Sequence, residues 1–352
     1  MSIVTILGAG VMGSAMCLPL LDRGHEVRLA GTHLDGEIID SVKASGRHPR
    51  LDVNLPGGVK AFHHDEFAAA VGADTELIVL GVSSAGIGWA IDRLCENLTA
   101  PITLVMITKG MHPEEAGLTA LPDRVAAEVK RRRGFSLSIA AIGGPCIAGE
   151  LAARRQTGTV ITSHDAEFAQ RLCAMLETGY YHPRVSTDVI GVEVCAAFKN
   201  FFAIAVGWAA GHLEKLAPTS NRAFNHNAAA IIFDQALAEL MVLTRALGGS
   251  DASVWGMPGA GDLYVTAQAG RNSRLGSNMG RGLTYSQTKA GPMHGDTIEG
   301  AELGVTVAPS LNAMMDRGLL ETRRLPLTTA LLRALSNDTP LDIPWSDFHR
   351  QG

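Results

Sequence analysis

Residues 2–30 read SIVTILGAGVMGSAMCLPLLDRGHEVRLA, and the order of features in this stretch decides the fold. The run Ser2 to Leu7 is short and rich in β-branched apolar residues, as in a strand buried on both faces. It stops at Gly8-Ala9-Gly10-Val11-Met12-Gly13, a G-x-G-x-x-G pattern that opens a helical run, after which Glu26 to Ala30 forms the next apolar segment. Here the glycines have physical tasks: a tight turn, close approach of the backbone to a pyrophosphate, and close packing of helix on strand. Strand, glycine turn, helix and strand in succession predict dinucleotide binding; a purely structural glycine turn is the alternative.

Further apolar runs repeat the strand pattern: Glu76 to Val82, Ile102 to Thr108 and Ser136 to Gly144, then Gly158 to Ser163 and Tyr180 to Ser186 around a helical AEFAQRLCAMLET. Alternation with helical stretches predicts a parallel, doubly wound α/β sheet. From Asp188 onward strand signals disappear and helices follow: Val189 to Leu213, Asn225 to Leu247, a stretch after Asn272, and Leu325 to Leu335. The expected organisation is a dinucleotide-binding domain over 1–188 and an all-α substrate-binding domain over 189–352. The glycine- and proline-containing Lys289 to Thr297 reads as a surface loop rather than a lid.

Composition narrows the function. With 352 residues, 46% hydrophobic and 18% charged, the chain can bury the cores of two domains. A net charge of −5 argues against nucleic acid as the main partner. The basic run Lys130 to Arg133 reads as a solvated helix end, where cations complement the dipole. Five scattered cysteines without a C-x-x-C spacing form the pattern of a reducing compartment. No basic leader precedes SIVTIL, and no apolar stretch reaches about 18 uninterrupted residues. The expectation is a cytoplasmic protein without a membrane span, without a metal site, and with a homodimer as one assembly open to it.

Three further motifs carry chemistry. In Cys195-Ala-Ala-Phe-Lys-Asn-Phe-Phe, Lys199 has only apolar neighbours three, four and seven positions away, so its ammonium points where a core should be. A lysine placed there is paired or chemically used. Lys109, in Thr108-Lys109-Gly110, ends a predicted parallel strand, where open α/β sheets border their ligand crevice. Gly143 to Glu150, GGPCIAGE, ends another strand in the same way; nothing in the sequence supplies a base beside Cys146. Met257 to Leu263, MPGAGDL, reads as a glycine-rich turn delivering Asp262, with Thr266 one helical turn on and Gly270-Arg271-Asn272 beyond. Arg271 offers the fork of donors that suits a phosphate. At the end of the second strand the acidic residue that usually holds the ribose of NAD is missing; Thr32 and His33, with Arg47 or Arg50, would tolerate the additional phosphate of NADP.

Taken together, GAGVMG, TKG, GPCIAGE, VEVCAAFKN, PGAGDLYVT with GRN, and Ile298-Glu299-Gly300 resemble, in order and spacing over nearly the whole chain, the NAD(P)-dependent sn-glycerol-3-phosphate dehydrogenases. The resemblance implies an N-terminal Rossmann domain, a C-terminal helical domain, and NAD or NADP as cofactor. It implies catalytic roles for Lys199, Lys109 and Asp262, and substrate contacts for Asn200, Thr266, Arg271 and Asn272. It places cofactor contacts at Gly8, Gly10, Val11, Met12, Gly13, Thr32, Lys109, Ala148, Arg271 and Glu299. Departures from the family pattern are GPCIA for GPSFA, Ala30 and Thr32 in place of a tryptophan and an arginine, and Asp234-Gln235-Ala236 in place of TRG. Because the last lies in the helical part, another polyol phosphate or hydroxy acid is the alternative substrate. A non-catalytic nucleotide sensor would be expected to lack Lys109, Lys199 or Asp262, and all three are present. The implied reaction is reversible hydride transfer at C2 of dihydroxyacetone phosphate, with burial tuning Lys199 for proton transfer.

Overall fold

The apolar runs become strands of one eight-stranded sheet: β1 (Ile3–Leu7), β2 (Glu26–Ala30), β3 (Val59–Phe62), β4 (Leu77–Leu80), β5 (Thr103–Met106), β6 (Ser138–Gly143), β7 (Thr157–Thr162) and β8 (Tyr181–Ser186). The structure, a computed structural model, describes residues 1–115, 117–221 and 223–348. Strand order is β8-β7-β6-β5-β4-β1-β2-β3. Neighbours run parallel except β6 and β7, which pair antiparallel. From β1 the chain builds outward to β2 and β3, then crosses back to lay β4 on the other side of β1, with Val4 opposite both Val27 and Leu77. The carboxyl ends of β1 and β4 therefore flank a topological switch point, where open α/β sheets bind ligands. The edge strand β3 was not expected: four residues long, only partly buried and carrying an exposed Lys60, it gives a weak periodic signal.

The chain packs as two units. The sheet unit comprises Met1–Lys109 and Leu121–Val189; the helical unit comprises Gly110–Ala120 and the chain from Ile190 onward. The division thus differs from a single cut after residue 188 at 110–120 and at Val189, and the second unit is not purely helical. Strands Met111–Glu114 and Gly117–Ala120 pair antiparallel, and Met111, Leu118 and Ala120 join the helical unit's core. Ser310 Oγ donates to the Glu114 carbonyl at 2.7 Å. In the sheet unit, the basic run closes helix Leu121–Arg133, where Arg131 pairs with Glu128 and Arg132 with Asp92.

The N-terminal helical run divides into α1 (Val11–Ala15) and α2 (Cys17–Asp22). The principal elements of the helical unit are α3 (Val189–Leu213), α4 (His226–Ala246), α5 (Asp262–Gln268), α6 (Arg271–Gly280), α7 (Glu299–Asp316) and α8 (Pro326–Ser336). By length and composition α3 and α4 could each cross a membrane, which amends the sequence argument. The apolar window of α3 is 89% buried inside the protein, however, as in a core helix, and that of α4 is 50% buried. The crossing of α3 with α6 is made of small residues. A Cβ on Gly276 would collide with the Ile204 carbonyl, and one on Gly211 with the Ser277 carbonyl, so the two backbones touch and the start of α6 is fixed against Asn200.

A buried carboxylate joins α4 to α8. Glu239 accepts from the amides of Leu327 (2.7 Å) and Thr328 (2.6 Å), from Thr328 Oγ1 (2.6 Å) and from Gln235 Nε2 (2.8 Å). The two amides belong to the first turn of α8, where helical N–H groups lack partners, so Glu239 caps α8 from another helix. Burial raises the Glu239 carboxyl to about 7, against the pull of these hydrogen bonds. Gln235 and the fully buried Ala236, at the Asp234-Gln235-Ala236 departure, thus belong to an internal support, with Gln235 engaged by Glu239.

Candidate functional site

In the sheet unit the glycine turn has the shape its spacing predicts. Gly8 has φ +111°, in the region that favours glycine, and a Cβ there would lie 2.8 Å from the Gly81 backbone. A Cβ on Gly13 would collide with the Gly8 carbonyl, whereas one on Gly10 would meet nothing within 4 Å. Tight turn, close helix packing and open space over the middle glycine are what a bound dinucleotide requires, so these residues fit that cofactor. Val11 is exposed and Met12 partly exposed, and Met12 Sδ lies 3.9 Å from Cys146 Sγ. Ala148 starts the short helix Ala148–Ala152, which packs against α1, so the GPCIAGE loop reaches the glycine turn. Lys109 is half-buried and donates from Nζ to the Gly144 carbonyl at 3.4 Å, tying the loop after β5 to the loop after β6.

Beyond the end of β2 lies a carboxylate, Asp35. Asp35 is buried, and its Oδ2 accepts from Thr32 N (2.8 Å), Thr32 Oγ1 (2.8 Å) and Ala9 N (3.2 Å). The single hydroxyl hydrogen of Thr32 is given to Asp35, so Thr32 is already used as a donor and is not free to bind a phosphate through it. Arg47 pairs with Asp52, and the His33 ring lies 5.7 Å from that of Trp89.

In the helical unit Lys199 is buried as its sequence context demands, with 9% of its side chain exposed, and it is paired. Its Nζ forms an ion pair with Asp262, whose side chain is 2% exposed, and donates to Thr266 Oγ1 at 3.0 Å. Its neighbours on α3 are apolar, and the polar partners arrive from another helix. Asp262 and Thr266 sit one turn apart on α5, as the spacing predicts. What precedes them is not a simple turn but a π-helical segment, Met257–Gly261, in which a Cβ on Gly259 would collide with the Val254 backbone. π-helical turns are rare and cluster at functional sites.

The remaining residues form a chain of contacts. Asn272 is buried, donates from Nδ2 to Asn200 Oδ1 at 3.1 Å, and accepts from the Gly300 amide at 2.9 Å. Asn200 donates from Nδ2 to Glu299 Oε2 at 3.1 Å, and Glu299 Oε1 lies 3.8 Å from Arg271 Nη2. The close pass of Gly300 against the Asn200 backbone carbonyl makes this possible, since a Cβ there would collide with it. Arg271 keeps 47% of its side chain exposed, leaving much of its guanidinium surface open to a ligand. Lys199, Asp262 and Thr266 thus form one cluster, and Asn200, Asn272, Glu299 and Arg271 another, joined through adjacent residues of α3. No group of three or more histidine, cysteine or acidic side chains suited to a metal occurs among the described residues.

A glycine-turn sheet unit and a helical unit with a buried, carboxylate-paired lysine have the build of a nicotinamide-dependent dehydrogenase. Models of the N-terminal and C-terminal parts of NAD-dependent glycerol-3-phosphate dehydrogenase match residues 3–169 and 188–344. The NADP(+)-dependent glycerol-3-phosphate dehydrogenase of Archaeoglobus fulgidus is 35% identical over 81% of this chain and 82% of its own. The glycerol-3-phosphate dehydrogenase [NAD(P)+] of Halorhodospira halophila is 30% identical over 97% of this chain and 94% of its own. The crystal structure of glycerol-3-phosphate dehydrogenase from Coxiella burnetii superposes with a TM-score of 0.78 at 26% identity, covering 99% of this chain and 97% of that one. The chain belongs to the NAD-dependent glycerol-3-phosphate dehydrogenase family.

Proposed function

We propose that this protein interconverts dihydroxyacetone phosphate and sn-glycerol 3-phosphate with NAD(P). The observation that carries the reading is the buried Lys199, held by Asp262 and Thr266 one residue from the Asn200–Asn272–Glu299–Arg271 set. When bound on the glycine turn, the nicotinamide cofactor supplies or accepts the hydride. Lys199 gives a proton from Nζ to the C2 oxygen as the ketone is reduced, and takes it back in the oxidative direction. Asp262 and Thr266 hold the amine in place for that transfer. Arg271, with Asn272 behind it, binds the phosphate, and Asn200 orients the substrate. Lys109 is assigned to the same reaction, and Gly8, Gly10, Val11, Met12, Gly13, Thr32, Ala148, Arg271 and Glu299 to the cofactor, as the family resemblance implies. The cysteine pattern supports a cytoplasmic setting.

The test follows loss of the reduced-nicotinamide absorbance with dihydroxyacetone phosphate, run separately with NADH and NADPH. Turnover with at least one is expected; none with either, alongside turnover on another polyol phosphate or a hydroxy acid, would replace the substrate assignment. Arg271→Ala is expected to raise KM for dihydroxyacetone phosphate by about tenfold or more with a smaller change in kcat. An unchanged KM would contradict the phosphate role.

A further inference from the structure

The glycine turn is gripped at one residue from two sides, and one grip comes from a histidine outside the motif. Ala9, between Gly8 and Gly10, is fully buried, and its N–H donates to Asp35 Oδ2 at 3.2 Å. Its carbonyl lies 2.9 Å from His48 Nε2 and also accepts from Ser14 Oγ at 3.3 Å. His48 is fully buried on the hairpin Arg47–His48 and Val53–Asn54. The tautomer follows from the other ring nitrogen: Nδ1 accepts from the Leu51 amide at 2.9 Å, so Nε2 carries the hydrogen and donates to Ala9.

The peptide between Ala9 and Gly10 is trans, as are all those described, and in a trans peptide the C=O and N–H point in opposite directions. Pulling the Ala9 carbonyl toward His48 therefore turns the Gly10 N–H the other way. That N–H has no backbone or side-chain acceptor among the described residues, and the space over Gly10 is open. An outward amide in a glycine turn is a donor for an anionic oxygen. We propose that His48 is a positioning residue for the dinucleotide: through Ala9 it fixes the Gly10 amide in the orientation that receives the pyrophosphate. This rests on the cofactor reading given above and assigns His48 no part in hydride or proton transfer.

The test compares two side chains of nearly equal length, His48→Gln and His48→Met, in the full-length protein. The glutamine amide can reach Ala9 where Nε2 does, the methionine cannot, and both lose the contact with Leu51. Affinity for NADH and NADPH is measured by fluorescence titration without substrate, and KM for dihydroxyacetone phosphate at saturating cofactor. His48→Gln is expected to bind the cofactor within about threefold of wild type and His48→Met about tenfold more weakly, with KM for the second substrate little changed in either. Equal affinity in the two variants would overturn the inference, as would a tenfold loss in a folded His48→Gln should His48→Met not fold. Wild-type protein that binds neither NADH nor NADPH would instead sink the cofactor reading, and this inference with it.

Discussion

Lys199→Ala is expected to lower kcat by about 10²- to 10⁴-fold, the usual contribution of a positioned acid–base group, with affinity for NADH or NADPH little changed. The substitution has a second consequence, because it leaves Asp262, with 2% of its side chain exposed, as an uncompensated buried charge. Breaking a buried pair in this way costs about 3–5 kcal/mol of stability. Removing both partners leaves no stranded charge, so Lys199→Ala with Asp262→Ala is expected to regain part of that stability while recovering no activity. Urea unfolding and cofactor titration separate the two effects. If activity returns together with stability in the double variant, Lys199 and Asp262 only hold the fold, and the catalytic assignment is wrong.

The second large effect concerns stability and its pH dependence. Glu239→Ala strands four donors that now meet one carboxylate, and is expected to cost about 3 kcal/mol or more. For the wild type the sign follows from the raised folded-state value. With the carboxyl shifted from 4.5 to about 7 by burial, the folded state holds the proton over a range where the unfolded chain has lost it. The stabilisation from this group is therefore fully present below 4.5 and is lost as pH rises through about 7. Its size is on the order of 3 kcal/mol. Urea unfolding of wild type and Glu239→Gln at intervals between pH 5 and pH 8, taken as differences, isolates this group from other titrating residues. A wild type that gains stability relative to Glu239→Gln as pH rises would show that the four donors, rather than burial, dominate.

How far the sequence discloses this molecule follows from the reach of each signal. The buried strands are legible because both faces demand apolar residues, and the glycine turn because three backbone constraints fall at fixed spacing. The edge strand β3 escapes because it is short and nowhere fully buried, and the 110–120 hairpin because residues of its two short strands pack against elements distant in sequence. In the helical unit, Lys199 is conspicuous as a charge in an apolar helix, and the placement of Asp262 and Thr266 on one face follows from their separation of four. That these two are the partners of Lys199 depends on the α3–α5 contact, which no local pattern encodes. The same holds for Asn272, whose amide is spent on Asn200 and Gly300, and for Asp35, which lies beyond the end of β2 and meets Ala9 only through the fold. His48 stands between Arg47 and Arg50. A lone histidine carries no periodic signal, and only the contact with Ala9 shows its role.

The central claim is that the buried amine of Lys199 meets the C2 oxygen of a phosphorylated three-carbon substrate. An experimental structure with sn-glycerol 3-phosphate bound tests it most directly. The account predicts the C2 oxygen within about 2.6–3.2 Å of Lys199 Nζ, and the phosphate against the Arg271 guanidinium. A substrate whose phosphate is held by other groups, with its C2 oxygen out of hydrogen-bond reach of Lys199, would contradict it.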